Sequence, residues 1–506
     1  MLKGHPKGLI AASLSNMGER FGFYTMMAIL VLFLDAKFNL GGWTSVIYSV
    51  FYASIYILAL VGGIIADKTR NYKRTIMIGI IIMAVGYLLI AIPTPTVQSG
   101  YGFYLFLAIL GLFVIAFGNG LFKGNLQALV GQMYDNPEYS KMRDSGFSLF
   151  YMFINVGAIF APVAALGVRN WWLTKHGFAY NSDLPAVCHS YLNGTITPEG
   201  TTRLTDLMKT ADLNGAYANN ISDFVTDYLA TFTTGFHYAF AVAILSMAIS
   251  FVIYMINKKN FPDPKGTKKA RTNASAEEIQ MAAAEVKQRI YALFAVFGVV
   301  IFFWFSFHQN GLTLTYFAKD YTLLSIGSWK ITAELFQSVN PFFVVFLTPV
   351  IMGLFGWLRA RNIEPSTPKK IAIGMLIAAL GYVLMVIGSI GLPPHSEVLS
   401  MGGLPDAQRV TPFLLIGTYF ILTVAELFIS PLGISFVSKV APPQYQGVMQ
   451  GGWLAATALG NQLLFIGGLL YLNVPIWIVW SVFVAVCLIS MFTMLFMLKW
   501  LERVAK

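Results

Sequence analysis

The sequence predicts an all-α membrane protein: twelve transmembrane helices gathered into two six-helix bundles. Three observations lead there. The composition is 57% hydrophobic and 11% charged over 506 residues, with a mean hydropathy of +0.66, too apolar for a water-soluble globule. Apolar segments wide enough to cross a bilayer recur about twelve times. Most of the 34 Lys and Arg residues fall at the chain ends and in alternate loops, as an even number of spans with both termini in the cytoplasm requires.

The first six segments lie near 9–35, 46–66, 74–93, 103–132, 145–168 and 235–256. The second six lie near 290–318, 334–358, 369–391, 411–438, 446–471 and 474–499. Residues 1–256 therefore form one bundle and 290–506 the other. Between them, 257–289 reads as a cytoplasmic linker, basic at first (Lys258, Lys259, Lys265, Lys268, Lys269, Arg271). Ser275-Ala276-Glu277-Glu278 then makes a capping box for a helix entering span seven. Two halves joined in this way are the layout of a transporter whose site lies between repeats. Residues 169–234 read as a long, polar external loop.

The net charge of +11 follows from the cytoplasmic loops, so no nucleic-acid partner is expected. Cys188 and Cys487 are too separated to suggest a disulfide or a metal site. A cleavable leader is not expected, because the first apolar run is too long and carries charges. No GxSxG, HExxH or phosphate loop marks an enzyme, and neither cofactor nor metal is expected.

Those charges are the most informative residues. Glu19 and Arg20 interrupt the first span, where each costs roughly 2.5–3.5 kcal/mol unless it faces a protein interior or a wet cavity. Arg20 and Tyr24 share a helix face, with Glu19 about 100° away from Arg20. Lys123 is a second cation, in span four, and Glu426 an anion in span ten. Cations in the first half facing an acid in the second suit a zwitterion. The competing reading is a packing ion pair that fixes one helix against another.

Several motifs extend this pattern. Gly62-Gly63-Ile64-Ile65-Ala66-Asp67, followed by Arg70, Lys73 and Arg74, can latch a cytoplasmic loop in one conformational state, and it resembles the loop signature of the major facilitator superfamily. Phe150-Tyr151-Met152-Phe153-Ile154-Asn155-Val156-Gly157 resembles the FYxxINxG signature of the proton-dependent oligopeptide transporter family. Gly120-Leu121-Phe122-Lys123-Gly124-Asn125 is similar to that family's span-four motif, Asn340-Pro341 to its NP pair, and Ala425-Glu426-Leu427-Phe428-Ile429-Ser430-Pro431 to its AExxxSP segment. Gly452-Trp453 with Ala456 to Asn461 fits span eleven, and Asn16 to Tyr24 is similar to ExxERFxYY.

The resemblance implies the major facilitator fold and import of di- and tripeptides by proton symport. It further implies that Arg20 and Lys123 hold the peptide carboxylate while Glu426, with Asn340 nearby, holds the amino terminus. Tyr24, Tyr56, Asn155, Trp304, Ser430 and Trp453 would complete the pocket. With 24 Tyr and 41 Phe in the chain, the bland reading of any one aromatic is lipid-facing or interfacial filler.

The chain departs from the family in three places. Asn16 replaces the first acid of ExxER, Phe23 the first of two tyrosines, and His308 the acid in the span-seven segment Trp304 to Gln309. Glu19, Lys123 and His308 are the remaining candidates for proton coupling, with Glu19 expected to pair with Lys123 across the cavity. His308 could carry a proton or an anion; a histidine in a membrane helix also serves as a hydrogen bond between helices. Partners are then di- and tripeptides, protons and the lipid bilayer, with the chain acting as a monomer in the plasma membrane. Alternatives are a transporter of nitrate or another small anion, a proton-independent peptide uniporter, and a non-transporting nutrient receptor.

Overall fold

The computed structural model describes residues 4–69, 71–95, 101–134, 138–139, 143–218, 220–262, 283–441 and 446–504. Among them, twelve helices are long and apolar enough to cross a membrane. The first half contains α1 (Lys7–Phe38), α2 (Gly42–Thr69), α3 (Tyr72–Ala91), α4 (Tyr101–Met133) and α5 (Arg143–Lys175), then two short helices α6 (Leu184–Leu192) and α7 (Pro198–Ala211), then α8 (Ile221–Asn257). The second half contains α9 (Ala283–Phe307), α10 (Thr313–Tyr321), α11 (Val339–Ala360), α12 (Thr367–Ser389), short α13 (His395–Ser400), α14 (Pro412–Val440), α15 (Gln446–Gln462), α16 (Leu464–Asn473) and α17 (Ile476–Val504). A two-stranded antiparallel hairpin, β1 (Ser325–Ile326) and β2 (Trp329–Lys330), turns at Gly327 between α10 and α11. The ends of the bundles that carry α1's start and α17's end are called the terminal face below, and the opposite ends the distal face.

Helix α1 runs through the first bundle, packed on α8, α5 and α4. Small and hydroxylated residues make that approach possible. A side chain at Gly18 or Gly22 would run into Ser250 or Met247 of α8. Ser250 Oγ donates to the Ser15 carbonyl at 2.7 Å, and Ser246 Oγ to that of Gly18. Where lipid tails are as apolar as leucine, close backbone contact and such hydrogen bonds take over from hydrophobic burial as the adhesive. Gly62 of α2 sits against the Gly120 carbonyl of α4 for the same reason. In the second bundle α12 packs on α14 and α17. The bundles meet along α2 with α15 and α16, and along α5 with α11.

Two spans are broken rather than continuous. Between α9 and α10 the chain forms a 3-10 turn, His308–Gly311, and between α15 and α16 it breaks at Leu463. The breaks face each other: His308 Nδ1 donates to Asn461 Oδ1 at 2.5 Å, and Gln309 Nε2 to the Leu464 carbonyl at 3.3 Å. Irregular backbone at membrane depth is tolerated where protein or a cavity surrounds it.

The expectation of a polar loop over 169–234 is corrected. Span five runs on to Lys175 and span six begins at Ile221, leaving a compact cap with two helices. Helix α7 is amphipathic, burying Leu204, Leu207, Met208 and Ala211 at helical spacing. The cap docks on the second half through Thr197 Oγ1, which donates to the Ser400 carbonyl at 2.9 Å, and through Asp183, whose Oδ2 lies 2.7 Å from Arg409 and, within the cap, 3.7 Å from Arg203. Below it, fully buried Arg169 of α5 is ion-paired to fully buried Glu334, which precedes α11. The distal face is thus closed by charge pairs that join the two halves. Among the described residues, no ion pair joins the halves at the terminal face.

The capping box at Ser275–Glu278 and Arg70 lie outside the described residues, as does the side chain of Asp67. Lys73 and Arg74 open α3, capped by Asn71, whose Oδ1 accepts from the Arg74 backbone N–H at 3.1 Å.

Candidate functional site

The midpoint of α1 delivers Glu19 and Arg20 into protein rather than lipid, 0% and 5% exposed. Although consecutive residues start about 100° apart on a helix, both side chains are long enough to fold back together. Arg20 Nε donates to Glu19 Oε2 at 2.6 Å and Arg20 Nη2 to Glu19 Oε1 at 2.7 Å. A planar guanidinium fork meeting a carboxylate in this way is the strongest ordinary charged pairing. Asn119 of α4 adds a third donor, its Nδ2 at 2.6 Å from Glu19 Oε1. The expected pairing of Glu19 with Lys123 is therefore corrected: Glu19 is taken by its neighbour and by Asn119. Asn119 was missed in the sequence, yet it lies one helical turn before Lys123, on the same face.

Lys123 has no ion-pair partner among the described residues. Its Nζ lies 4.2 Å from the centre of the Tyr56 ring, a cation–π contact. From Tyr56 a row of rings crosses between the bundles. Tyr52 lies 6.0 Å from Tyr56, His308 4.8 Å from Tyr52, and Trp304 is stacked 4.8 Å from His308. Tyr52 was not singled out in the sequence, and Asn461 only as the end of the span-eleven motif; both prove to be His308's contacts. Arg20 also sits over the Phe23 ring at 4.6 Å, a contact a tyrosine ring would make equally well.

On the second half Glu426 accepts from Asn340 Nδ2 at 2.9 Å, and the same amide donates to Thr423 Oγ1 at 2.9 Å. No cation pairs with Glu426 among the described residues. Ser430, one turn further along α14, and Trp304 each keep a buried polar atom with no protein partner, Oγ and Nε1 respectively. Such groups are uncommon in a finished interior and mark places where a ligand or water completes the bonding. Trp453 of α15 is buried against Gly433, where any side chain would displace its ring. Asn155 of α5 is 7% exposed.

Tyr24 and Tyr56 each lie within electrostatic reach of both Arg20 and Glu426, so the charged groups of the two halves stand near one another. Cations thus stand on one side, an acid on the other and aromatic rings between. Opposite charges on facing walls are the chemistry that suits a molecule carrying both charges.

Residues 73–190 and 266–468 match the sequence profile described as the POT family. The chain is 30% identical to the peptide transporter YePEPT of Yersinia enterocolitica subsp. palearctica serotype O:3 (strain YE-P4), over 90% of this chain and 86% of that one. It is 25% identical to the dipeptide and tripeptide permease A of Escherichia coli (strain K12), over 92% and 83% respectively. Its fold superimposes on the crystal structure of peptide transporter POT in complex with sulfate with a TM-score of 0.72 at 22% identity, covering 100% of this chain and 96% of the other.

Proposed function

The chain belongs to the POT family, and from that premise we propose that it imports di- and tripeptides through the membrane by alternating access, driven by protons. The observation that carries this reading is the opposed pair of walls: Arg20 and Lys123 on the first half, Glu426 with Asn340 on the second. A peptide carboxylate lies against Arg20 and Lys123, and its ammonium against Glu426, Asn340 and Ser430. Tyr24, Tyr56, Trp304 and Trp453 give side chains apolar, sequence-tolerant contact, and Asn155 bonds the peptide amide. A lone anion such as nitrate would face Glu426 with no cation beside it, which favours peptides.

Proton coupling follows from competition for one guanidinium. Arg20 presents a single fork, and Glu19 occupies it in the substrate-free protein. A peptide carboxylate arriving at Arg20 displaces Glu19, which is left buried with Asn119 alone. An isolated buried carboxylate takes up a proton rather than remain charged. Peptide and proton are thereby bound together. His308 serves as a link between the broken spans, held by Asn461.

By the distribution of Lys and Arg, the terminal face and both termini are cytoplasmic, and the protein works as a monomer in the plasma membrane. The distal closure then makes this a cytoplasm-facing conformation. The test is uptake into proteoliposomes containing only this protein, with and without an imposed proton gradient, comparing dialanine, trialanine and nitrate. Gradient-stimulated accumulation of the peptides is expected. Accumulation of neither peptide removes the reading, and peptide uptake indifferent to the gradient reduces it to a uniporter.

A further inference from the structure

A cavity of about 130 Å³ lies between the bundles at the distal face, beneath α6. At about 30 Å³ of liquid volume per water, a cavity of that size has room for about four waters, close to the bulk of a small amino acid, and its rim is open. Its walls carry Asp35 and Tyr180 from the first half and Tyr316, Lys319 and His395 from the second, with Phe232 as an apolar side. Exposed Asn39, Gly41 and Leu399 form its rim.

The charges are arranged rather than scattered. Thr44 Oγ1 donates to Asp35 Oδ1 at 2.6 Å and so orients that carboxylate. Across the cavity, Asp320 holds Lys319 Nζ at 3.0 Å and His395 Nε2 at 3.4 Å, while Tyr471 donates to Asp320 Oδ2 at 2.9 Å. An acid on the first half thus faces two nitrogen donors on the second, with aromatic rings beside them. This repeats the logic of the central site at the outer end of the molecule, with the charges reversed between halves.

We propose that this cavity is an outer binding site for a zwitterion, a short peptide or amino acid. Its ammonium lies at Asp35 and its carboxylate at Lys319 and His395, so that an occupant tethers the two halves and holds the distal face shut. The inference rests on the peptide-import reading for the nature of its ligand. Because the site draws on both halves in the closed arrangement, a ligand there stabilises that arrangement by its differential affinity. High external peptide therefore slows its own uptake.

The test uses Ala186→Trp, which fills the cavity from α6 without altering a charged group, and dialanine as the probe. In proteoliposomes, wild-type uptake should rise, peak and then fall as external dialanine increases. The variant should rise to a plateau with unchanged half-saturation. Equilibrium dialysis of the detergent-solubilised full chain should give two dialanine molecules bound per wild-type chain and one per variant chain. A wild-type plateau, or a fall that persists in the variant, overturns the proposal. One molecule per wild-type chain overturns the outer site and leaves the central one standing; none overturns both.

Discussion

At Arg20 the geometry of one side chain decides what can be exchanged for it. Lysine would keep the charge and lose the fork, and with it one of two charge-assisted bonds to Glu19 or to a peptide carboxylate. Such a bond contributes about 1.5–3 kcal/mol. Arg20→Lys should therefore weaken dialanine binding roughly tenfold to a hundredfold, measured by competition against a labelled peptide, with Glu426 and Asn340 undisturbed. Glu19→Gln probes coupling instead. Glutamine can still meet Arg20 and Asn119 but cannot gain a proton, so the variant should exchange peptide across the membrane without accumulating it under an imposed pH difference. Accumulation at the wild-type level would sink the competition for Arg20. The four central charges were legible in the sequence because ionisable groups in apolar runs stand out on cost alone. Asn119, Tyr52 and Thr423 were not, since a lone amide, hydroxyl or phenol in a helix carries no such mark; Asn461 stood in a motif, but its pairing with His308 was not foreseen. The supposed Glu19–Lys123 pair failed because helix-face reasoning places Cβ atoms, whereas carboxylate and guanidinium reach a further three or four bonds.

At the scale of the helices, the distal contact between α5 and the segment before α11 is the sharpest case. Arg169 and Glu334 are both fully buried, with the Tyr180 ring 3.7 Å from the guanidinium. Removing one partner strands a buried charge, at a cost of about 3–5 kcal/mol, whereas replacing both with apolar residues is often neutral. Glu334→Gln should lower the thermal midpoint of the detergent-solubilised protein more than the double substitution Arg169→Met with Glu334→Met. Equal losses from the single and double variants would show the pair to be uncoupled. The double variant should also open the distal face more often, read as faster labelling of a cysteine introduced at Ser338. Nothing in the sequence announces this pair, because its members lie in different halves and only the assembled bundles bring them together. The twelve spans, by contrast, were legible almost to their ends. The exceptions, at the distal ends of spans five and six, were extensions; in span six Phe224, Tyr228 and Phe232 pack on Phe178 and Tyr180 of the cap, while polar Ser222, Asp223, Thr226 and Asp227 are exposed and dilute the apolar signal.

For the whole molecule, the cap converts what read as a loop into a docked lid over the distal face. The amphipathic spacing of α7 was present in the sequence, but it is dilute among Thr, Asn and Gly and lacks the apolar density of a span. One of the cap's attachments is sensitive to acid. His189 Nε2 donates to the Ala36 carbonyl of α1 at 2.7 Å, and burial holds its pKa below the ordinary 6.5. The folded cap therefore prefers the neutral ring. The stability this contributes is fully present above the unfolded value near 6.5 and is lost as pH falls below it toward the lower folded value. Amide protection over 184–211, corrected for intrinsic exchange, should decline on acidification below that value, and His189→Gln should flatten the decline. Unchanged protection at acid pH would show that the cap is fastened elsewhere, chiefly at Asp183.

The ionic closure of the distal face also sets an asymmetry of access. If the resting chain is mostly shut on that side, a peptide arriving there meets a competent site only in the fraction of molecules that have opened. Its apparent dissociation constant is then the intrinsic one divided by that fraction, whereas a peptide on the terminal side meets the site ready-made. Vesicles with the protein inserted in both orientations should accordingly show two half-saturation constants for a single substrate. Their ratio measures the closing equilibrium directly, and substitution of both Arg169 and Glu334 by methionine should draw the two constants together.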